Sequence, residues 1–321
     1  MKYTVAIIGL GSIGLSYDIN HSDKILSHSK AFFKHPDFIL TGGVDPREAS
    51  RLNFTAEFNL PAYKTVESLF FKTSPNIIVV SSPTDTHLSI IEKILNIYKP
   101  LAIICEKPLS YNSIDAKKIV DICKYNSVKL YVNYYRRADP GVISVKSMLE
   151  SRKIISPQKV IVWYSKGIIH NGSHFLDLLF FWLGEFSNIK MISKGRIINN
   201  NDAEPDICVS FKNCSAYFLS SKEENFSHYT VEIIAVNGRL RYETNGTIIW
   251  NDAIVNPELN SQKKLDLNAK FIDHNMDYYQ QNITIQLSRA LNNISNTLCK
   301  GSEALRYVEC LEQVVKNNGD V

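Results

Sequence analysis

The sequence predicts an α/β protein of two domains: a parallel sheet wound by helices, then an α/β domain with a largely antiparallel open sheet. Three observations predict it. At 321 residues the chain is longer than a typical single core. Strand-length apolar runs alternate with helix-spaced apolar residues through residue 133. Past about residue 136, short strand-like stretches separated by turn signals take over. The boundary is set so that residues 1–135 form the first domain and 136–321 the second, with the final helix near the junction.

Residues 3–9 (YTVAIIG) are a β-branched strand that stops at glycine. A helix is expected to open near Gly11, to break over the polar stretch Tyr17–Asp23 and to resume over Ile25–His35. Ile39–Val44 is a second strand and 46–58 a helix. Asn76–Ser82 and Leu101–Cys105 read as buried strands. Between them Leu88, Ile91, Ile94 and Leu95 mark a helix over Asp85–Tyr98. Ile114, Ile119, Ile122 and Cys123 mark the next helix, and Lys129–Asn133 the next strand. The second domain is expected to hold helices at 140–152 and 174–183 and strands at 158–164, 187–198, 206–212, 215–220, 229–236 and 239–243. Asn237-Gly238 and Asn245-Gly246 supply turns, and helices at 274–298 and 302–317 end the chain. Few helices follow residue 184, so one face of the later sheet is left to cover. This predicts a homodimer or homotetramer joined through residues 185–245.

The bulk numbers exclude several classes. A net charge of +4 is weak, and the basic residues are scattered, so no nucleic-acid partner is expected. The six cysteines form no C-x-x-C pair and are too sparse for a disulfide framework, which suits a reducing compartment and a cytoplasmic protein. The first apolar run is too short for a membrane span, and no small-residue cleavage site follows it.

Gly9-Leu10-Gly11-Ser12-Ile13-Gly14 is G-x-G-x-x-G placed directly after a strand. Glycine is needed first for the tight turn, second for close approach of a pyrophosphate, and third for helix–strand packing. A Rossmann domain binding a dinucleotide follows, with Ser12 and Ile13 at the phosphates. Asp45 ends the second strand, where a carboxylate takes both ribose hydroxyls and favours NAD. It lies farther along than the usual spacing of about 20 residues. Arg47 could pair with a 2′-phosphate, which leaves NADP open, and Asp45 could instead only cap a helix.

Three more motifs follow in order. These are Ser82-Pro83-Thr84-Asp85-Thr86-His87, Glu106-Lys107-Pro108, and a stretch from Gly167 to Asp177 holding His170, Asn171 and His174. With them the chain resembles the glucose–fructose oxidoreductase and inositol dehydrogenase family, strongly over residues 1–183 and by architecture beyond. The resemblance implies an NAD(P)-dependent enzyme that moves a hydride between nicotinamide and a C–OH or C=O carbon of a sugar, cyclitol or nucleotide-linked sugar. Some members take other substrates, including biliverdin. It implies that Ser82, Pro83 and Thr84 wall the nicotinamide ribose, and that Lys107, with Glu106 beside it, lies near nicotinamide and substrate. His87 is either a cofactor contact or a packing residue.

By the same resemblance His174 is the active-site histidine. The family usually has aspartate four residues earlier; this chain has His170, which is expected with Asn171 to contact substrate. The departure leaves a second reading open, a catalytically silent dinucleotide-binding sensor or regulator. Tyr135 and Arg136 are expected at the substrate, where arginine can fork onto a phosphate or carboxylate; an interdomain ion pair is the alternative for the arginines there. His170 and His174 could form half of a zinc site, but no third ligand is evident and no metal is expected.

Overall fold

The computed structural model describes residues 2–19, 23–199, 201–256 and 262–319. The chain divides into two units, Met1–Ala138 with Asp277–Glu309, and Asp139–Met276 with Cys310–Val321. The sequence placed everything after residue 135 in the second domain. The structure returns 277–309 to the first unit.

In the first unit the apolar runs become strands β1 (Tyr3–Ile8), β2 (Phe38–Val44), β3 (Ala62–Tyr63), β4 (Ile77–Val80), β5 (Ala102–Cys105) and β6 (Lys129–Val132). They pair in parallel in the order 3-2-1-4-5-6, the doubly wound arrangement whose order reverses between β1 and β4. Both β4 and β5 are buried at every position, because helices cover both faces. Those helices are α1 (His28–Lys34), α2 (Glu48–Phe58), α3 (Val66–Phe70), α4 (His87–Ile97) and α5 (Ser113–Tyr125).

Two late segments complete this unit. Cys299–Lys300 adds an antiparallel edge to β6, and the helix Tyr279–Leu291 buries Ile283 and Leu287 in one cluster with Phe32, Phe38 and Val79. Pairing across more than 150 residues has no local signal, which is why the sequence assigned this stretch elsewhere.

The helix expected at Gly11 is only a turn. Leu15 N–H donates to Gly11 O, a 3-10 turn covers Ser16–Asp18, and α1 begins at His28. The buried Asp18 carboxylate accepts Leu26 N–H (2.6 Å) and Ser27 N–H (2.8 Å), closing the polar excursion at its base. The predicted break at 17–23 falls there; residues 20–22 lie outside the described ones.

The second unit contains α6 (Pro140–Glu150), β7 (Pro157–Tyr164), α7 (Ser173–Leu183) and strands β8 (Phe186–Ser193), β9 (Ile197–Asn199), β10 (Asp202–Ala203), β11 (Asp206–Phe211), β12 (Ser215–Ser220), β13 (Thr230–Ala235), β14 (Gly238–Tyr242), β15 (Ile248–Val255), β16 (Lys263–Leu265) and β17 (Lys270–Ile272). Its main sheet runs β16-β15-β14-β13-β7-β12-β11-β8, with β17 also on β15. Only the β7–β12 pair is parallel, so the expected antiparallel character holds. The sequence missed β15 to β17 and joined β8 and β9 into one strand. Alternate residues Val160, Val162, Phe218, Ile233 and Leu240 are fully buried. The α7 residue Trp182 stacks edge-on against Tyr242 and donates its indole N–H to Val142 O (3.0 Å). Asp139 caps α6 through Gly141 and Val142 N–H, with Pro140 at the first helical position.

Candidate active site

In the first unit the site is built at the carboxyl ends of β1, β2, β4, β5 and β6. Gly9 leaves β1 at φ +97°, and a β-carbon there would stand 2.6 Å from Ser82 N. At Gly14 it would stand 2.0 Å from Gly9 O. At Gly11 the nearest atom would be Arg47 Nη2 at 3.8 Å, so this glycine faces open space. Turn, approach and packing are thus divided among the three glycines as a pyrophosphate cradle requires. The cleft beside them has a volume of about 820 Å³, lined by Gly9, Gly11, Ser12, Ile13, Asp45, Arg47, Ser82 and Pro83. That room and that polar rim fit a dinucleotide.

Asp45 is 3% exposed and highly engaged. Its carboxylate accepts Leu10 N–H (2.9 Å), Arg47 N–H (2.9 Å) and two guanidinium N–H groups of Arg47 (3.1 Å each). Burial pushes its pKa up, but the bonds from Arg47 and Leu10 outweigh this and hold it below the usual carboxylate range. Arg47 itself is mostly exposed, so its grip on Asp45 is at the water-facing side.

Thr84 begins a short 3-10 turn after Pro83 and is not among the residues lining the cleft. His87 does not face the cleft either. It is fully buried, with Nδ1 3.1 Å from Leu109 O and Nε2 3.0 Å from Ser82 O. Burial lowers its pKa despite the pull of both carbonyls. Of its two sequence readings the structure selects packing: His87 braces the cleft wall from behind.

Glu106 and Lys107 follow β5 and are half-buried, with a cis peptide between Lys107 and Pro108. Glu106 Oε1 meets His28 Nε2 (2.7 Å) and Asn133 Nδ2 (2.6 Å), and Oε2 accepts Lys107 N–H (3.3 Å). Burial would raise this carboxyl, but the His28 bond and charge, then Asn133 and Lys107, hold it below its ordinary value. Tyr135 stacks on Tyr279 with ring centroids 4.5 Å apart, and Arg136 lies over the Tyr135 ring at 4.9 Å. Arg137 pairs with Glu303 (2.8 Å) and bonds Tyr307 OH (3.1 Å), both within the first unit. Its ion pair therefore does not join two domains.

In the second unit Gly167, at φ +87°, leads into a five-residue π-turn over Ile168–Gly172, and α7 follows at Ser173. His170 is exposed on that turn and Asn171 donates to Ser165 O (3.0 Å). His174 is 4% exposed in the first turn of α7. The turn is held by Asp202, whose carboxylate accepts Ile169 N–H (3.0 Å), His170 N–H (2.8 Å) and Ala203 N–H (2.9 Å). A β-carbon at Gly167 would strike Asp202 Oδ2, so glycine is obligatory there. Among the described residues no three His, Cys, Asp or Glu side chains gather as a metal would need.

Sequence reasoning missed His28, Asn133 and Asp202. Asn133 carried a signal, since it ends the last parallel strand on the same edge as Glu106. His28 and Asp202 lie 78 and 32 residues from the groups they hold and carried none.

Residues 3–134 match the Gfo/Idh/MocA model, described as an oxidoreductase family with an NAD-binding Rossmann fold. The Rossmann unit belongs to this family. Among curated relatives, oxidoreductase P35 of Formosa agariphila is 25% identical over 210 residues, 57% of this chain and 64% of its own length. Inositol 2-dehydrogenase of Rhizobium meliloti is 24% identical over 162 residues, 50% of this chain and 45% of its own. The chain thus spans less than two thirds of both. An Agrobacterium radiobacter oxidoreductase solved with NAD⁺, L-tartaric acid and magnesium shares the fold at TM-score 0.74 and 17% identity, covering 100% of this chain and 97% of that one. The WlbA dehydrogenase of Bordetella pertussis, solved with NADH and UDP-GlcNAcA, does so at 0.75 and 15%, with the same coverage.

Burial pushes the Asp202 pKa up to about 6, against the pull of its backbone donors. A carboxyl raised in the fold stabilises fully below its unfolded value near 4, and that stability is lost as pH rises through about 6. Denaturation midpoints should therefore fall between pH 4 and 6.5, and Asp202→Asn should flatten that fall. Equal slopes in both proteins would show that Asp202 does not titrate there.

Proposed function

We propose that this chain is an NAD(H)-dependent dehydrogenase or reductase acting on a C–OH or C=O carbon of a sugar, cyclitol or nucleotide-linked sugar. The glycine turn carries the reading: three glycines, two sterically obligatory and one open to the cleft, stand beside Asp45 where the strand order reverses. Gly9, Gly11, Ser12, Ile13 and Gly14 hold the pyrophosphate, Asp45 and Arg47 the adenosine ribose, and Ser82 and Pro83 the nicotinamide side, with Thr84 in the turn that follows them. Glu106 and Lys107 complete the cofactor contacts. Bound dinucleotide supplies the hydride acceptor or donor, and the chain supplies alignment and proton handling.

Lys107 orients and polarises the reacting oxygen with its ammonium. His174 takes or returns the proton, since imidazole titrates near neutral pH. His170 and Asn171 on the Asp202-held turn, with Tyr135 and Arg136, contact substrate. Inositol 2-dehydrogenase among the relatives and the UDP-sugar complex among the structures support the substrate class. His170, in place of the family's aspartate, is the observation that favours the sensor or regulator reading. The two readings part on turnover.

A cytoplasmic location is part of this reading, in keeping with six cysteines that form no C-x-x-C pair. No described helix is long and apolar enough to cross a membrane. The side of the second unit's sheet opposite its buried face carries Trp163, Ile192 and Ile234, each more than a third exposed. A homodimer or homotetramer through residues 185–245 would cover it.

Calorimetry should show NAD(H) binding, and Asp45→Ala should weaken NAD(H) more than NADP(H). Tighter NADP(H) binding by the unmutated chain would give Arg47 the upper hand, and no dinucleotide binding would end the proposal.

With a panel of polyols, sugars and nucleotide sugars, Lys107→Ala and His174→Ala should each lower turnover about 10²–10⁴-fold while leaving dinucleotide affinity nearly intact. His170→Asp should shift the acid limb of the pH–rate profile upward, because a carboxylate favours a neighbouring imidazolium. Full turnover in His174→Ala would remove it from the mechanism.

Light scattering at micromolar concentration should give a dimer or tetramer. A monomer there would overturn the assembly.

A further inference from the structure

We propose that His28 is a positioning residue for the catalytic edge: it holds the Glu106 carboxylate in place, and through it Lys107. The proposal deepens the dehydrogenase reading and rests on it only for the role of Lys107. Three elements converge to make this node. Glu106 leaves β5, Asn133 leaves β6, and His28 opens α1. His28 and Asn133 are each 1% exposed, while the Glu106 side chain keeps 12% of its surface. One carboxylate oxygen is shared by the imidazole (2.7 Å) and the Asn133 amide (2.6 Å), which lie 3.4 Å from each other. The other oxygen accepts the Lys107 backbone N–H.

His28 also binds in the other direction. Its backbone N–H donates to Ile13 O (2.9 Å) inside the glycine turn, and the next residue, Ser29, bonds Gly14 O through both N–H and hydroxyl. A single residue thus ties the phosphate-binding turn to the carboxylate beside Lys107. That is geometry a dinucleotide enzyme needs, because the pyrophosphate and the reacting oxygen must be registered to each other.

Stability alone does not explain the node. A buried carboxylate–imidazole pair is costly to desolvate, and an apolar pair of like volume would serve the fold as well. His28 Nδ1 and Asn133 Oδ1 are, besides, buried without a hydrogen-bond partner, a further cost. The charged and titratable groups that face Glu106 are His28, Lys107, His87, Cys105 and Tyr279. Of these Lys107 brings a fixed positive charge, His28 brings the short bond to the carboxylate, and burial lowers the His87 pKa. Removing His28 takes from Glu106 the partner that meets it at 2.7 Å. Glu106 should then take up a proton more readily and hold the Lys107 backbone N–H less firmly.

The test needs no substrate for its first part. The full-length protein, labelled with ¹³C at glutamate side-chain carboxyls and assigned through Glu106→Gln, is titrated by NMR as the unmutated chain, His28→Ala and His28→Gln. Glutamine offers a donor near the Nε2 position but no charge. The Glu106 carboxyl should titrate at least one pH unit higher in His28→Ala and between the two in His28→Gln, with NAD(H) affinity changed less than about threefold. Turnover should fall about 10–100-fold in His28→Ala, mainly in kcat rather than KM, with partial recovery in His28→Gln. If His28→Ala does not fold, the same two readouts in His28→Gln decide. A Glu106 titration that does not move, or a loss confined to stability with kcat intact, overturns the proposal. If Glu106 shifts as expected but the unmutated chain turns over no candidate substrate, the dehydrogenase reading fails and the positioning of Glu106 by His28 stands.

Discussion

The turn that closes β1 is the constraint around which the first unit is arranged. Gly9 N–H is spent on Val44 O of β2, Gly9 O accepts the Ser81 hydroxyl from β4, and Leu10 N–H is fixed by Asp45. Gly14 packs so closely on Gly9 O that no side chain fits between them, and Ser29 at the start of α1 bonds Gly14 O. Each neighbour of β1 is therefore locked to the same few backbone atoms. A loop anchored on all sides loses little entropy when a ligand arrives, which is how a preorganised cradle gains affinity.

That arrangement explains what was legible in the sequence. A glycine required by sterics leaves a motif, and fully buried parallel strands leave apolar runs, so β1, β2, β4, β5 and β6 and the turn between β1 and α1 could be read from one chain. The aspartate at the end of β2 and the lysine after β5 could be read too, because their positions follow from strand ends. Elements whose reason for existing is a distant partner could not be. The helix Tyr279–Leu291 has an ordinary amphipathic pattern, and nothing local says that Ile283 and Leu287 complete the first core and not the second. Strands β15 to β17 were lost because their residues mix Asn, Asp and Lys with apolar positions and alternate weakly.

The candidate site divides in the same way. Of the residues named by motif, Gly9, Gly11, Ser12, Ile13, Ser82 and Pro83 line the cleft. His87 sits in the motif but turns inward, since a histidine at the first turn of α4 finds two carbonyls behind the wall before it finds solvent. Groups that act by holding other groups, such as Asp18 and Asp202, went unseen. A carboxylate that accepts backbone N–H donors has no sequence signature beyond its own letter, because any backbone can be its partner.

These buried carboxylates also fall into two electrostatic kinds. Asp45 and Glu106 in the first unit each face a cationic partner as well as neutral donors, and both lie below the ordinary carboxylate range. Asp202 in the second unit faces only backbone N–H groups, and burial carries it up to about 6. Neutral donors can satisfy a buried anion without overcoming its desolvation, whereas a positive partner can. Asp45 and Glu106, on the edge that would hold the dinucleotide, are thus both biased toward the ionised form. In the second unit burial instead raises the pKa of Asp202, which holds the turn that carries His170 and leads to His174.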